Sequence, residues 1–340
     1  MELLTLDKFP RRILAEIDIQ RAFISSRLII AAERLQLFRV LHGKRMTADA
    51  IGKALNLHDL YLLPFLTTMV ALGFLHRRNN RYWNTRFAEK YFIDERSIYW
   101  TRQYSKECVD AYERLTILEQ ALASGKRYYQ LKRLPKPDYL QRMKQDSREA
   151  EDFTQMLFHL HQPDAKALAN HLDLARHSKL LDVAGGSGVM SIALAKQNPH
   201  LQAVVFDIEP VCRIAARNVR RAGLSRQIHT QPGDIRLGLP GGCDVMMFCD
   251  IGSVSRTLLQ DAYKKLPANG LIVLMDRYLS EDGTEPLDRL AAHFVGSGFG
   301  LATRRDMVEA LKSCGFRKLK SKKIYRDVWC ITGVKPRILD

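Results

Sequence analysis

The sequence predicts an α/β protein, a Rossmann-like sheet with an antiparallel edge hairpin, preceded by an all-helical, winged-helix-like part. Three observations carry this. From Lys179 onward short apolar runs alternate with segments of helical period, the pattern of a parallel sheet covered on both faces. Between the first of these runs and the helix after it stands "DVAGGSG", Asp182 to Gly188, a stretch almost free of large side chains. Before about Asp94 the period is helical until a single hairpin signal.

In "RAFISSRLIIAAERLQLFRVL", Ile24, Leu28, Ala31, Leu35 and Phe38 recur at helical spacing and predict a stripe facing the core. Leu28, Ile29, Ile30 and Leu35 crowd more than one face, which predicts burial on several sides and a homodimer built by these helices. "MTADAIGKALNL" reads as a short helix capped by Thr47, and "DLYLLPFLTTMVALGFL" as another. "LHRRNNRYWNT" predicts two short strands around Asn79 and Asn80. Helix, short helix, helix and hairpin spell a winged helix. A groove-reading helix needs Arg, Lys, Asn or Gln, whereas the third helix offers Leu62, Leu63, Phe65, Leu66 and Met69. Packing or dimerisation is therefore expected over nucleic-acid binding. Residues 96–175 read as charged helices connecting the halves, interrupted at "RLPKPDYL".

In the second half "KLLDVA", "AVVFDI", "IHTQPGD", "CDVMMFCD" and "GLIVLMD" read as strands, with helices between them. The end, "RDMVEALKSCGFRKLKSKKIYRDVWCITGVK", adds a helix and two strands so close in sequence that they pair only as an antiparallel hairpin.

Composition narrows the classes. Hydrophobic residues make up 46 %, enough for a substantial core. No run approaches a membrane span, and "MELLTLDKFPRR" lacks the apolar core of a signal peptide, so the expected location is the cytoplasm. The six cysteines form no C-x-x-C pair and read as reduced, with no metal site. A net charge of +16 suits an acidic partner or a basic solvated surface alike, and no contiguous polybasic block favours nucleic acid.

The chemistry concentrates at the strand ends. Gly185, Gly186 and Gly188 bare the backbone before a helix N-terminus, which fits a ligand or simply a tight turn. Asp207 ends the second strand about 20 residues later, where a carboxylate can take both ribose hydroxyls. Asp234, in "PGDIR", ends the third and can meet an adenine amino group. Three successive acids predict a nucleoside site. Asp182 would repel a pyrophosphate but suits a cationic, amino-bearing ligand, as S-adenosylmethionine is.

On "SRLIIAAERLQLFRVL" and "LTTMVALGFL" in one half, and "LLDVAGGSG", "VVFDIEPV", "PGDI" and "LPANGLIVLMD" in the other, the chain resembles the class I S-adenosylmethionine-dependent methyltransferases. The group it is similar to carries a winged-helix dimerisation domain and includes plant-type and bacterial small-molecule O-methyltransferases. The resemblance implies a seven-stranded methyltransferase sheet and three parts: residues 1–95 for dimerisation, 96–175 as a helical connector contributing to the substrate pocket, and 176–340 for catalysis. It implies that Ala184 and Gly185 line the cofactor's methionine end, Asp207 its ribose, Asp234 with Ile235 its adenine and Cys249 its outer face, with Asp182, Gly186, Gly188 and Asp250 also binding the cofactor. Ala184 replaces the family's first glycine.

The family's basic histidine, in a segment like L-H-D-W, is missing from "DVMMFCDIGSVSRTLLQDAYKKL"; Ser253 or Phe248 falls in its place, depending on the alignment anchor. The supporting glutamate of T-E-x-E-F is Arg304 here. Another base is one reading, with His159, His161 and His293 as candidates, the first two on a helix that borders the substrate in the family and also carries Met156. A second is an acceptor needing no strong base, an acidic phenol or an electron-rich ring carbon. A third is non-methylating chemistry, and a different class altogether is a winged-helix DNA-binding regulator. The leading expectation is methylation, of oxygen by resemblance, of a small aromatic or planar acceptor. Arg304, with Arg277 near it, further predicts that the acceptor is anionic.

Overall fold

The computed structural model describes residues 11–337 except 137, 253 and 296–299; the side chains of 11–21, 95–104, 287 and 288 are also outside the description. Ser253 therefore lies outside the described residues. The chain divides into two compact units, residues 1–106 and 107–340, the boundary falling inside the helix Glu95–Leu115.

In the first unit β1 (Met46–Thr47), β2 (Leu75–Arg78) and β3 (Arg81–Asn84) form a small antiparallel sheet ordered β1-β3-β2. Asn79 and Asn80 both take positive φ, 48° and 54°, the left-handed pair that a two-residue hairpin turn of this twist demands. Thr47 caps the helix Ala48–Leu55 by accepting from the Ala50 N–H at 3.3 Å. Leu62, Leu66 and Met69 of the helix Asp59–Ala71 pack inward, while Leu60, Tyr61 and Leu63 are exposed. The first helix departs from its expected stripe. It ends at Arg34, and Gln36 at φ 61° resets the phase before the turn Leu37–Val40. Burial falls on Ile30 and Ala32, with Leu28 packed against the core, and past the reset on Leu37, Phe38 and Leu41, while Ile24 and Leu35 are exposed.

The second unit holds β4 (Lys179–Val183), β5 (Gln202–Asp207), β6 (Ile228–Pro232), β7 (Val245–Cys249), β8 (Leu271–Arg277), β9 (Arg317–Tyr325) and β10 (Val328–Val334). They form one sheet ordered β6-β5-β4-β7-β8-β10-β9, parallel through β8, with β10 antiparallel to both of its neighbours. The hairpin is as expected, its last strand inserted between β8 and β9. Side chains alternate between two cores: Leu180, Val245, Met247 and Val273 pack on one face, Leu181, Met246, Phe248 and Leu274 on the other. The edge strand β9 carries exposed Lys318, Lys320, Lys322 and Lys323. Lysines there blunt pairing with another chain, which accounts for part of the +16 without any partner. No described helix is long and apolar enough to cross a membrane.

Order along the sheet reverses between β4 and β7, so the crevice beyond their carboxyl ends is where ligands of such sheets sit.

Candidate active site

The turn after β4 is shaped by Asp182. Its position in the alternation points it at the helix Val189–Gln197, where Ser191 Oγ donates to Oδ2 at 2.6 Å. The carboxyl is fully buried, and Oδ1 has no partner among the described residues. Burial outweighs the Ser191 hydrogen bond and pushes its pKa up to about 7. A Cβ on Gly185 would come within 2.6 Å of the Asp182 carboxyl carbon, so only glycine lets the chain fold over it. Ala184 sits at φ 51° and Gly188, capping the helix, at 76°.

Asp207 closes the turn from the neighbouring strand. Its Oδ2 accepts from Gly186 N–H at 2.9 Å and its Oδ1 from Ile208 N–H at 2.7 Å. Burial nonetheless raises this carboxyl to about 6. An orphaned buried oxygen and two carboxyls held against their charge fit a ligand bearing cationic and hydroxyl groups. Asp234 differs. It is held by a bidentate pairing with Arg236, at 2.7–3.0 Å, which lowers its pKa. Ile235 lies beside it, half-buried, in a short 3-10 turn.

Ala184 takes a backbone conformation that costs an L-residue about 1 kcal/mol. Ala184→Gly should therefore stabilise the protein by up to about 1 kcal/mol, less the extra freedom glycine gains when unfolded. Urea unfolding of the pair of proteins measures it, and a loss of stability would show that the methyl group packs productively.

Beyond β7 and β8 lies a cavity open to solvent. Phe248, Ile251, Val254, Met275 and Met307 give it apolar walls, and Asp250, Asp276, Tyr278 and Arg289 its polar groups. Cys249 pairs with Met275 across the strands, so Asp250 and Asp276 follow as neighbours on one face. Two like charges there need cations. Arg289, buried on the helix Leu287–Phe294, donates to Asp276 Oδ1 at 2.7 and 3.1 Å. His161 stands at the joint between the helices Ser147–Leu160 and Gln162–His171, its Nδ1 2.9 Å from Asp164 and its Nε2 3.1 Å from Asp250. Burial opposes its charge, but the hydrogen bonds to Asp164 and Asp250 prevail and lift the imidazole to about 9. It is an imidazolium clamp.

The other expected residues are dispersed. His159 is half-buried beside Phe158, His293 is exposed beside Phe294, and Met156 is buried on its helix; none lines this cavity. Phe248 does line it. Arg304 requires a correction: its guanidinium donates to Glu281 at 2.9 Å and Ser321 at 3.0 Å and lies over the Trp329 ring, away from the cavity wall. The acid that pairs it comes from a loop distant in sequence, while nearby Asp306 is spent on the capping box with Thr303. Arg277 is likewise engaged, by Asp164 at 3.1 Å and Asp327 at 3.4 Å. Sequence reasoning missed Arg289, for which no local signal exists. It also missed Asp276, which the strand-end rule that found Asp207 would have indicated.

A family model described as an O-methyltransferase domain matches residues 118–315. The 3-hydroxy-5-methyl-1-naphthoate 3-O-methyltransferase of Streptomyces sahachiroi is 26% identical over 280 residues, 80% of this chain and 79% of that protein. The L-tyrosine C(3)-methyltransferase of Streptomyces lavendulae is 32% identical over 178 residues, 49% of each chain. Among solved structures, human N-acetylserotonin methyltransferase in complex with SAM superposes with a TM-score of 0.81 at 20% identity, covering 98% of this chain and 100% of that one. PigF with SAH gives 0.84 at 20% identity, covering 96% and 100%. The family match spans more than half of the chain, so the protein belongs to the O-methyltransferase domain family and is an S-adenosylmethionine-dependent methyltransferase acting on a small molecule.

Proposed function

We propose that this enzyme methylates a hydroxyl group of a small, planar aromatic acceptor lying in the cavity beyond β7 and β8. The observation that carries this is the cavity itself: it opens at the same strand-end edge as the glycine turn, and its walls are apolar apart from a few polar groups. Bound S-adenosylmethionine supplies an electrophilic methyl group. In this reading the backbone from Ala184 to Gly188 and the Asp182 carboxyl receive its methionine end, and Asp207 accepts from the ribose. Asp234 and Ile235 border the adenine, which requires Asp234 to share its carboxylate with Arg236. Cys249 and Asp250 border the side facing the acceptor. Apolar walls hold the ring so that proximity contributes much of the rate.

With Arg304 paired elsewhere and Arg289 tied to Asp276, no free guanidinium supports an anionic acceptor among the cavity residues, and a neutral, hydroxyl-bearing ring fits them better. The acceptors in the names of the two relatives, a hydroxynaphthoate and tyrosine, agree with an aromatic, hydroxyl-bearing ring, while each also carries a carboxylate. The tyrosine C(3)-methyltransferase also favours a second reading, transfer to a ring carbon beside the hydroxyl. Incubation with labelled cofactor and a panel of phenols and naphthols, with product mass and fragmentation, tests both: label on oxygen supports the first reading and label on carbon the second, while no transfer overturns both.

The exposed Leu60, Tyr61, Leu63 and Phe87 of the first unit support homodimerisation there, and the apolar third helix speaks for packing over DNA binding. Sedimentation of the full chain as a monomer at micromolar concentration would overturn the dimer. The cytoplasm remains the proposed location.

A further inference from the structure

Methylating a hydroxyl requires that its proton go somewhere, and the described residues lining the cavity include no histidine. We propose that Asp276 is the general base, a reading that rests on the hydroxyl acceptor proposed above. As the acceptor oxygen attacks, its O–H bond breaks toward Asp276 Oδ2 and a new O–C bond forms to the methyl carbon. The C–S bond breaks with its electron pair left on sulfur, and the proton stays on the carboxyl.

The geometry selects Asp276 among the polar groups of the wall. Arg277 N–H, at 2.6 Å, and both terminal nitrogens of Arg289 converge on its Oδ1. That fixes the carboxyl plane and leaves Oδ2 as the oxygen for a cavity ligand and for Asp250, which stands within hydrogen-bonding reach. Two adjacent carboxyls cannot both hold full charge comfortably, and the surroundings decide which gives way. Burial opposes the charge of Asp250, but His161, Arg277 and Arg289 overcome it and hold the group below its ordinary range. Asp276 takes the opposite shift: burial first, then Asp250, push it up to about 7, against Arg289. Pairs whose environments drive their acidities apart divide acid from base in this manner. The remaining titratable neighbours stay protonated. Cys249 at the end of β7, Cys330 on β10 and Tyr278 after β8 are all raised by burial. A base near neutrality, on the wall of the acceptor cavity, has the acidity that proton abstraction at working pH requires.

The test uses two probe acceptors, 2-naphthol, largely un-ionised at mildly alkaline pH, and 4-nitrophenol, largely ionised there. Asp276→Asn should slow methylation of 2-naphthol by about 100-fold or more, the span of general base catalysis. It should slow 4-nitrophenol much less, because that acceptor arrives without its proton. Asp276→Glu should recover part of the 2-naphthol rate. Independently of turnover, an infrared titration of wild type minus Asp276→Asn should show one carboxyl protonating near neutral pH. At saturating S-adenosylmethionine the wild-type 2-naphthol rate should still fall on acidification below about pH 7, which decides the matter if the asparagine variant does not fold. Equal loss on both acceptors, or no loss, overturns the base while leaving the hydroxyl acceptor standing. A wild type that methylates neither these nor any other phenol removes the acceptor reading, and the base with it.

Discussion

Replacing His161 with leucine should destabilise the sheet-bearing unit by about 3–5 kcal/mol, the cost of removing one partner from a buried ionic cluster. The imidazolium bridges Asp164, which is 2% exposed, and Asp250, which is 15% exposed, and leucine would leave Asp164 with Arg277 and Asp250 with the fields of Arg277 and Arg289, neither donating to it as the imidazole does. His161→Gln, able to donate without carrying charge, should cost less. Hydrogen exchange of the β7 and β8 amides is the suitable measure, since a chain of two units need not unfold in one step. The pH dependence follows from the same clamp. A histidine raised from 6.5 to about 9 by folding contributes stability that is fully present below about pH 6.5 and lost as pH rises through 9. Wild-type protection at these amides should therefore decline across that window, and the leucine variant should show none of that decline. A variant as stable as wild type would show that the clamp does not hold the fold.

Asp207→Ala should weaken S-adenosylmethionine binding by about 1.5–3 kcal/mol, roughly ten- to a hundredfold in Kd. Part of the loss is the proposed ribose contact. The rest comes from the turn, because the same carboxylate holds Gly186 N–H at 2.9 Å. Asp207 and Asp182 are raised to about 6 and 7, so both bind protons near neutrality, and a cationic, hydroxyl-bearing ligand prefers them charged. Affinity should then rise with pH through 6 to 7, with protons released on binding. Calorimetry in two buffers of different ionisation enthalpy measures both effects. Unchanged affinity in the alanine variant would remove Asp207 from the site, and a flat pH profile would remove the charge argument.

Local patterns were the legible part of this protein. Strand alternation, the Asn79-Asn80 turn, the Thr47 cap and the bared backbone before Val189 each depend on residues a few positions apart, so composition and spacing suffice to specify them. Asp207 belongs there too, since the end of a parallel strand is a position known from the strand itself. The first-helix stripe held at Leu28 and Phe38 and was lost at Ile24 and Leu35; next to Leu35 one left-handed residue, Gln36, shifts the phase, and nothing in its type demands that conformation.

Charge pairing was beyond the sequence. Arg304 pairs with Glu281 from another loop, Arg289 with Asp276 from a strand, and His161 with Asp250 from a strand end that only folding brings near. An isolated ionisable residue in a sequence carries no sign of whether its field will be cancelled, because that depends on partners and burial set by packing. The glycine turn and its acids declared a nucleoside site through local backbone geometry. Which carboxyl is pushed towards its protonated form, and which acid each of these cations pairs with, was decided only when distant strand ends and loops met.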